Sequence, residues 1–254
     1  MDVPEIEQMA RLEAEHWWYR GLRDAIRRAL HLSRFKINPG ANVLDAGCGT
    51  GQNLRLLVDL LQPAYAGGFD LSEHAVNWCR RKVGESADVY VSDIRDPQLH
   101  IENLDLLLSC DVISIPGIQE STPGLARLVE RLRPGGLFIH NMAAFQWLYS
   151  SHDVITHTRE RATAGSMKDL MLKLGLTIEL ITYRVFWLFP AIAGSRVPSM
   201  LRRPDPARAH SDLTPVSPWL NSTLWRVMGL ENWLIERGVR FPWGSSIFVV
   251  ARKR

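Results

Sequence analysis

Three glycines that alternate with other residues after an aspartate form the part of this chain best suited to bind a ligand. The segment VLDAGCGTG places Asp45 at the end of an apolar run and Gly47, Gly49 and Gly51 at every second position after Asp45. Such an apolar run predicts a buried strand, and glycine lets the following turn tighten and a ligand approach the bare backbone. The pattern therefore predicts a nucleotide-type binding site at the carboxyl end of a strand.

Two other glycine-rich motifs fit this loop less well. A dinucleotide-binding G-x-G-x-x-G motif needs a third glycine where the chain has Gln52, and a phosphate-binding loop needs a G-K-[ST] step where this loop has no lysine. A tight turn without a ligand would account for the glycines but not for the acid that precedes them. A cofactor site is therefore the favoured interpretation.

The elements that position this loop alternate between strand and helix from about residue 41. Apolar residues recur at helical spacing directly after the glycines, from Leu54 to Leu61. We predict strands at 42–45, 65–70, 89–92, 104–111, 136–142, 177–186 and 246–251, and helices at 1–38, 52–62, 72–83, 123–132 and 164–174. Thr122 and Pro123 are typical of a helix start. This alternation predicts a mostly parallel sheet with right-handed crossovers.

The composition is that of an ordinary globular protein. The chain has 254 residues, 46% hydrophobic and 22% charged, with a net charge of +3, which speaks against a dedicated nucleic-acid partner. Its three cysteines lie far apart without a C-x-x-C pair, so we expect a reducing compartment and no metal site. The acidic start of the chain lacks an apolar core, and the longest apolar stretch, 181–194, is too short to span a bilayer. We therefore expect a soluble, cytoplasmic protein.

The motif VLDAGCGTG resembles the first signature motif of the class I S-adenosylmethionine-dependent methyltransferases. This resemblance implies an α/β fold with a Rossmann-like, doubly wound sheet of seven strands, of which one is antiparallel. It implies S-adenosylmethionine as cofactor and S-adenosylhomocysteine as product. We expect an N-terminal helical cap (1–40), a cofactor-binding core (41–186), a helical insert or lid (187–240) and a last core strand (241–254).

The same resemblance assigns cofactor contacts to the ends of four successive strands. Asp70 is expected to bind the ribose hydroxyls with Leu71 beneath the adenine, and Asp93 to face the adenine amino group next to the backbone N–H of Ile94. The full expected set is Asp45, Ala46, Gly47, Cys48, Gly49, Asn53, Asp70, Leu71, Asp93, Ile94, Ser109 and Cys110. Each acid alone could be a helix N-cap, but three at the ends of successive strands indicate a cofactor site.

The segment SSHDVITHTRER resembles a loop in a subgroup of stand-alone bacterial small-molecule methyltransferases. His152, Asp153, His157 and Arg161 match that loop, whereas Glu160 replaces an arginine that is usual there. His152 is a candidate general base, oriented by Asp153 or by another acid, with His157 as a further candidate catalytic residue. The alternative is that His152 and Asp153 hold the loop together by hydrogen bonds.

The subgroup also tends to begin with a His-Trp-Trp-aromatic-Arg sequence, which this chain has at residues 16–20. We expect Trp17, Trp18, Tyr19 and Arg161 to contact the acceptor. Five of the nine tryptophans lie in the last third of the chain, so we expect a lipophilic acceptor and a weak contact of 187–203 with a membrane surface.

These observations predict methyl transfer to a small, hydrophobic metabolite or lipid-linked acceptor, with oxygen favoured over carbon or nitrogen. The alternatives are a protein that binds S-adenosylmethionine without turnover, and a nucleic-acid methyltransferase. The sequence Ser109-Cys110-Asp111-Val112 replaces the Asn-Pro-Pro-Tyr type of motif that methylation of base amino groups would require. The oligomeric state is not predicted.

Overall fold

The computed structural model describes residues 1–33, 40–201, 209 and 211–254, without the side chains of 198–201. The helices are α1 (Val3–Leu12), α2 (Trp17–Leu32), α3 (Gln52–Leu61), α4 (Glu73–Val83), α5 (Ile118–Arg131), α6 (Ser151–Ile155), α7 (Ala164–Lys173), α8 (Phe189–Leu201) and α9 (Pro218–Glu236). The strands are β1 (Asn42–Ala46), β2 (Tyr65–Asp70), β3 (Asp88–Val91), β4 (Leu104–Cys110), β5 (Leu132–Ala143), β6 (Leu176–Arg184) and β7 (Ser246–Lys253).

The seven strands form one sheet in the order β3-β2-β1-β4-β5-β7-β6. The first five pair in parallel, and β7 runs antiparallel to both of its neighbours, β5 and β6. The expected α/β, doubly wound sheet is therefore confirmed. Because β1, β2 and β4 are parallel, their carboxyl ends meet at one edge, where Asp45, Asp70 and Cys110 lie.

Two hydrophobic layers hold helices on the two faces of this sheet. Side chains of α2, α3, α4 and α9 pack on one face, and those of α5 and α7 on the other. Complete burial of a Leu or Phe side chain is worth about 1.5–3 kcal/mol, so these layers fix the carboxyl edge of the sheet as a rigid platform.

Two predicted helix boundaries were wrong. The N-terminal segment forms two helices, because the chain turns at 13–16 and His16 accepts a hydrogen bond from the Trp18 backbone N–H at 3.4 Å as a new N-cap. Helix α5 begins at Ile118 and contains Pro123 in its interior. The Ile118 N–H donates to Glu160 Oε2 at 2.7 Å, so a distant loop caps this helix five residues before the expected start.

The insert between β6 and β7 contains helices, as its length predicts. Helix α9 packs along α2, and the Asn232 side chain donates to the Gly21 carbonyl at 2.8 Å. Within the described residues, no helix is both long and apolar enough to cross a membrane.

Gly124 lets α5 lie directly on the loop after β3. A Cβ atom at this position would stand 1.9 Å from the Ile94 carbonyl oxygen, which is rigid backbone. We expect Gly124→Ala to destabilise the protein by about 3 kcal/mol, as overpacking does. Gly229→Ala is the matched control, because Gly229 is also helical and a Cβ there meets nothing within 4 Å. The control should gain about 1 kcal/mol from helix propensity, and thermal unfolding of both variants measures the difference. Equal melting temperatures would contradict the packing argument.

Candidate functional site

The glycine turn after β1 is locked between two neighbouring segments. Gly47 has a φ of +83°, and a Cβ there would lie 2.1 Å from the Val112 side chain in the loop after β4. The backbone N–H groups of Gly47 and Cys48 both donate to the Phe69 carbonyl on β2 at 2.8 Å. Only glycine fits at position 47, because a side chain there would be strained at this φ and would overlap Val112.

Asp45 presents an unpaired carboxylate oxygen inside this turn. The side chain is buried, and Oδ2 has no hydrogen-bond partner among the described residues. Burial, with the charges of Asp70 and Glu13, raises the pKa of Asp45 to about 8. A buried acid without a partner is costly for the fold alone. The site therefore fits a ligand that carries positive charge, such as the ammonium and sulfonium groups of S-adenosylmethionine.

Asp70 ties the glycine turn to the start of α4. Its Oδ2 accepts the Gly49 N–H at 3.0 Å and its Oδ1 accepts the Ser72 N–H at 2.9 Å. Burial raises the pKa of Asp70. The neighbouring Leu71 side chain is 63% exposed, which is unusual for leucine and which a flat ring such as adenine would cover. The ribose and adenine roles of these two residues stay predictions.

Other expected cofactor residues line the same edge. Arg95 binds both carboxylate oxygens of Asp93, at 3.0 Å and 2.9 Å, and lowers the pKa of Asp93. Ile94 is buried in the core beside Gly124. Ala46 and Cys48 are buried in and just after β1, and Asn53 lies half-buried in the first turn of α3. These positions are compatible with backbone contacts to a ligand.

The end of β4 carries polar groups that sequence reasoning only partly identified. Ser109 is fully buried, and its hydroxyl has no hydrogen-bond partner among the described residues. Cys110 follows it as a half-buried thiol whose pKa is raised by burial. Asp111 has a φ of +59° and accepts a hydrogen bond from the Asn141 amide at 2.9 Å. Burial raises the pKa of Asp111 to about 6.

Helix α1 lies across both halves of this edge. On the cofactor side, the Met9 methyl group lies 3.3 Å from where a Gly49 Cβ would stand, and buried Glu13 accepts the Thr50 hydroxyl hydrogen bond. On the other side, Asp2 bonds His157 at 2.8 Å and Glu5 accepts from Ser211 at 2.6 Å. The N-terminal residues therefore contact the glycine turn, the loop after β5 and the insert.

The loop after β5 is held by an ion pair inside it. Arg161 binds both oxygens of Asp153 at 2.9 Å, and Asp153 also accepts the Ser150 N–H at 2.8 Å. Both side chains of this pair are almost fully buried. His152 is not part of it, because His152 Nδ1 accepts the Asp212 N–H at 3.3 Å. This geometry favours the alternative in which the loop is held together by its own hydrogen bonds.

The expected aromatic contacts are half-buried at the start of α2. The ring centroids of Trp18 and Tyr19 are 5.0 Å apart and edge to face, and the Trp17 backbone N–H donates to Asn221 Oδ1 at 2.8 Å. Burial raises the pKa of Tyr19, and the negative charges of Glu13, Asp111 and Glu5 add to the effect.

Arg184, at the end of β6, is a buried cation that sequence reasoning did not assign to the site. Its side chain is 1% exposed, and Nε and Nη2 have no hydrogen-bond partner within the described part of the chain. The available signal was an arginine at the carboxyl end of a predicted strand whose other charged residue, Glu179, pairs with Arg252 near its start.

Comparisons with known proteins agree with the geometry of the edge. Residues 43–136 match the family model of the methyltransferase domain. A fatty-acid O-methyltransferase of Mycolicibacterium smegmatis is 31% identical over 106 residues, which cover 41% of this chain and 38% of that protein. The match thus spans well under half the length of this curated relative.

Solved structures share the fold at low sequence identity. An S-adenosylmethionine-dependent methyltransferase of Mesorhizobium loti has a TM-score of 0.59 and 16% identity over 90% of this chain and 98% of that one. Phosphoethanolamine N-methyltransferase 2 of Haemonchus contortus, solved with S-adenosyl-L-methionine, has a TM-score of 0.56 and 18% identity over 89% of this chain and 52% of that one.

Proposed function

Because this chain belongs to the class I S-adenosylmethionine-dependent methyltransferases, we propose that it methylates an oxygen of a small, lipophilic acceptor. The observation that carries this proposal is the buried Asp45 beside the glycine turn, whose Oδ2 has no hydrogen-bond partner among the described residues. S-adenosylmethionine, when bound, supplies an electrophilic methyl group on a positively charged sulfur. Asp45 offers this cation a negative partner, and Asp70 offers acceptor oxygens to a ribose.

Two observations support a lipophilic acceptor. The curated relative is named for fatty acids and for transfer to oxygen. The insert also carries aromatic side chains that are open to solvent, Trp187, Trp219, Trp225 and Trp233. Exposed tryptophans are available for contact with an apolar ligand, although Arg20 and Arg237 lie over the rings of Trp225 and Trp233. The weak membrane contact expected for 187–203 stays a prediction, and residues 202 and 203 lie outside the described residues. A cytoplasmic location also stays a prediction, to which the three free cysteines add support.

We further propose that the two loop histidines position the cap and the insert instead of removing a proton. His157 contacts Asp2 before α1, and His152 contacts the Asp212 backbone in the insert. Asp153 and Arg161 give the loop between them its shape. The acceptor is thereby enclosed and oriented, which is the main task of a protein in a displacement reaction.

Transfer of a tritiated methyl group from S-adenosylmethionine to dodecanoate, dodecanol and dodecylamine tests the proposal. We expect labelled product from an oxygen acceptor, with little from the amine. His152→Ala should raise KM for the acceptor while kcat and its pH dependence change little, because this histidine positions neighbouring segments.

His100→Ala is the matched control, since His100 pairs with Asp88 on the surface far from the loop. A His152→Ala variant whose kcat falls about a thousandfold, within the range for loss of general base catalysis, would make His152 the base. Tight S-adenosylmethionine binding with no labelled product from any of the acceptors would instead favour a binding protein without turnover.

A further inference from the structure

Arg184 crosses from the edge of the sheet toward the end of β4. Arg184 is the last residue of β6 and pairs with Ser246, the first residue of β7. Its side chain reaches back over β7, and the Arg184 Cζ atom lies 5.7 Å from the centre of the Phe248 ring. Its Nη1 lies 3.4 Å from Asn141 Oδ1 on β5. Asn141 pairs with Cys110 in the β4–β5 ladder. The guanidinium therefore lies about one strand spacing, some 5 Å, from the β4 end where the cofactor contacts are expected.

The two free nitrogens of Arg184 share one edge of the guanidinium. Nε and Nη2 both lack a partner among the described residues, although the side chain is fully buried. Leaving buried donors unpaired costs about 1–3 kcal/mol for each group. This edge is the one that binds both oxygens of a carboxylate through two parallel hydrogen bonds.

The acids near Arg184 have other partners. Asp111 accepts from the Asn141 amide, and the Glu231 oxygens accept the backbone N–H groups of Val185 and Phe186 at 2.6 Å and 2.7 Å. Their charges influence Arg184 from a distance, but neither carboxylate bonds its free edge. Their presence also disfavours a doubly charged phosphate beside the guanidinium.

We propose that Arg184 binds the carboxylate of the acceptor and that this carboxylate is the group that is methylated. This inference rests on the proposed function and narrows its substrate class to lipophilic carboxylic acids. A carboxylate oxygen already carries the lone pair that forms the new oxygen–methyl bond. The electron pair of the broken sulfur–methyl bond stays on sulfur, so a methyl ester and S-adenosylhomocysteine form and no proton has to be removed. A site of this kind needs no general base, which agrees with the contacts of His152 and His157.

The first test compares acceptors of equal chain length on the wild-type protein. With tritiated S-adenosylmethionine, dodecanoate should give a product that releases labelled methanol in alkali, as a methyl ester does. Dodecanol and dodecyl phosphate should give less than a tenth of that rate. Faster methylation of dodecanol or dodecyl phosphate than of dodecanoate, or an alkali-stable product from dodecanoate, would overturn the inference and leave the proposed function intact.

The second test removes the guanidinium. Arg184→Met should raise KM for dodecanoate by about thirtyfold, within the range for a lost charged hydrogen-bond pair, while the dissociation constant of S-adenosylmethionine stays near that of the wild type. Arg184→Lys should restore part of the lost affinity for dodecanoate, because lysine keeps the positive charge but lacks the two parallel N–H donors of a guanidinium. Arg127→Met is the matched control, since Arg127 lies on α5 and forms an exposed ion pair with Asp96 in the loop after β3.

A third measurement does not depend on turnover or on the stability of a variant. Calorimetric titration of dodecanoate into the wild-type protein saturated with S-adenosylhomocysteine should show binding, and dodecanol should bind at least about tenfold more weakly. Equal binding of the two ligands would overturn the inference. If the protein binds neither S-adenosylmethionine nor S-adenosylhomocysteine, the proposed function itself is wrong, so the two failures are distinguishable.

Discussion

Replacing Asp70 with alanine is expected to weaken S-adenosylmethionine binding by more than about a hundredfold. The Asp70 carboxylate holds the Gly49 and Ser72 N–H groups at 3.0 Å and 2.9 Å, so its removal frees the glycine turn as well as the proposed ribose contact. Hydrogen bonds to charged groups are worth about 1.5–3 kcal/mol each, and each 1.4 kcal/mol is a factor of ten in affinity. Isothermal titration calorimetry measures the change directly.

Asp59→Ala is the matched control for this variant. It removes the same charge from α3, where Asp59 is exposed and, among the described residues, pairs only with Arg55 one helical turn away, at 2.9 Å. A surface pair of this kind contributes about 0–1 kcal/mol, so Asp59→Ala should bind S-adenosylmethionine like the wild type. An Asp70→Ala protein that binds within about threefold of the control would remove Asp70 from the proposed cofactor site.

Asp45→Asn is expected to stabilise the protein while it weakens cofactor binding. Burial raises the pKa of Asp45 from 3.8 to about 8, so between these values the folded state holds a proton that the unfolded state has released. The free energy of unfolding therefore falls as pH rises through this window. Asparagine has no such proton, and we expect the variant to melt roughly 5 °C above the wild type near pH 8 and at a similar temperature near pH 4.

Ionisation of Asp45 should change cofactor affinity in the direction opposite to its effect on protein stability. As pH rises toward about 8, Asp45 becomes ionised and can pair with a cationic ligand, so wild-type affinity should increase over this range. In Asp45→Asn this increase should disappear, and binding near pH 8 should be about a hundredfold weaker. Calorimetric titrations of both proteins across the range, with a thermal melt at each pH, test the two halves together. A variant that is less stable at every pH and binds normally would show that Asp45 serves the fold.

Local patterns in the sequence were sufficient to predict the parallel strands and the glycine turn, whereas the antiparallel strand was expected from the family resemblance. The strand that ends at Asp45, the glycine spacing and the helix after Thr163 each depend on neighbours within a few residues. The start of α5 could not be predicted in this way, because Glu160 caps Ile118 from 42 residues away. The sequence Thr122-Pro123 is a stronger local signal for a helix start than the residues around Ile118, where the helix begins.

The same distinction applies to the candidate site. Asp70 and Leu71 could be proposed from the sequence, because the resemblance gives the acid at the end of the second strand a ribose-binding role; both roles stay predictions. Arg184 was missed because its significance depends on Asn141 and Phe248, which belong to two other strands. The pairing of Asp153 with Arg161 was likewise not predicted, since a histidine beside an acid in sequence is a familiar catalytic arrangement and the true partner lies eight residues away.

Helix α1 contacts the glycine turn through Met9 and the loop after β5 through Asp2. If the ten-residue helix α1 moves as one rigid body, it leaves both places together. Exchange of spent cofactor and departure of methylated product should thus share a single opening event, and the rate of that event sets a ceiling on turnover whatever the speed of the displacement itself.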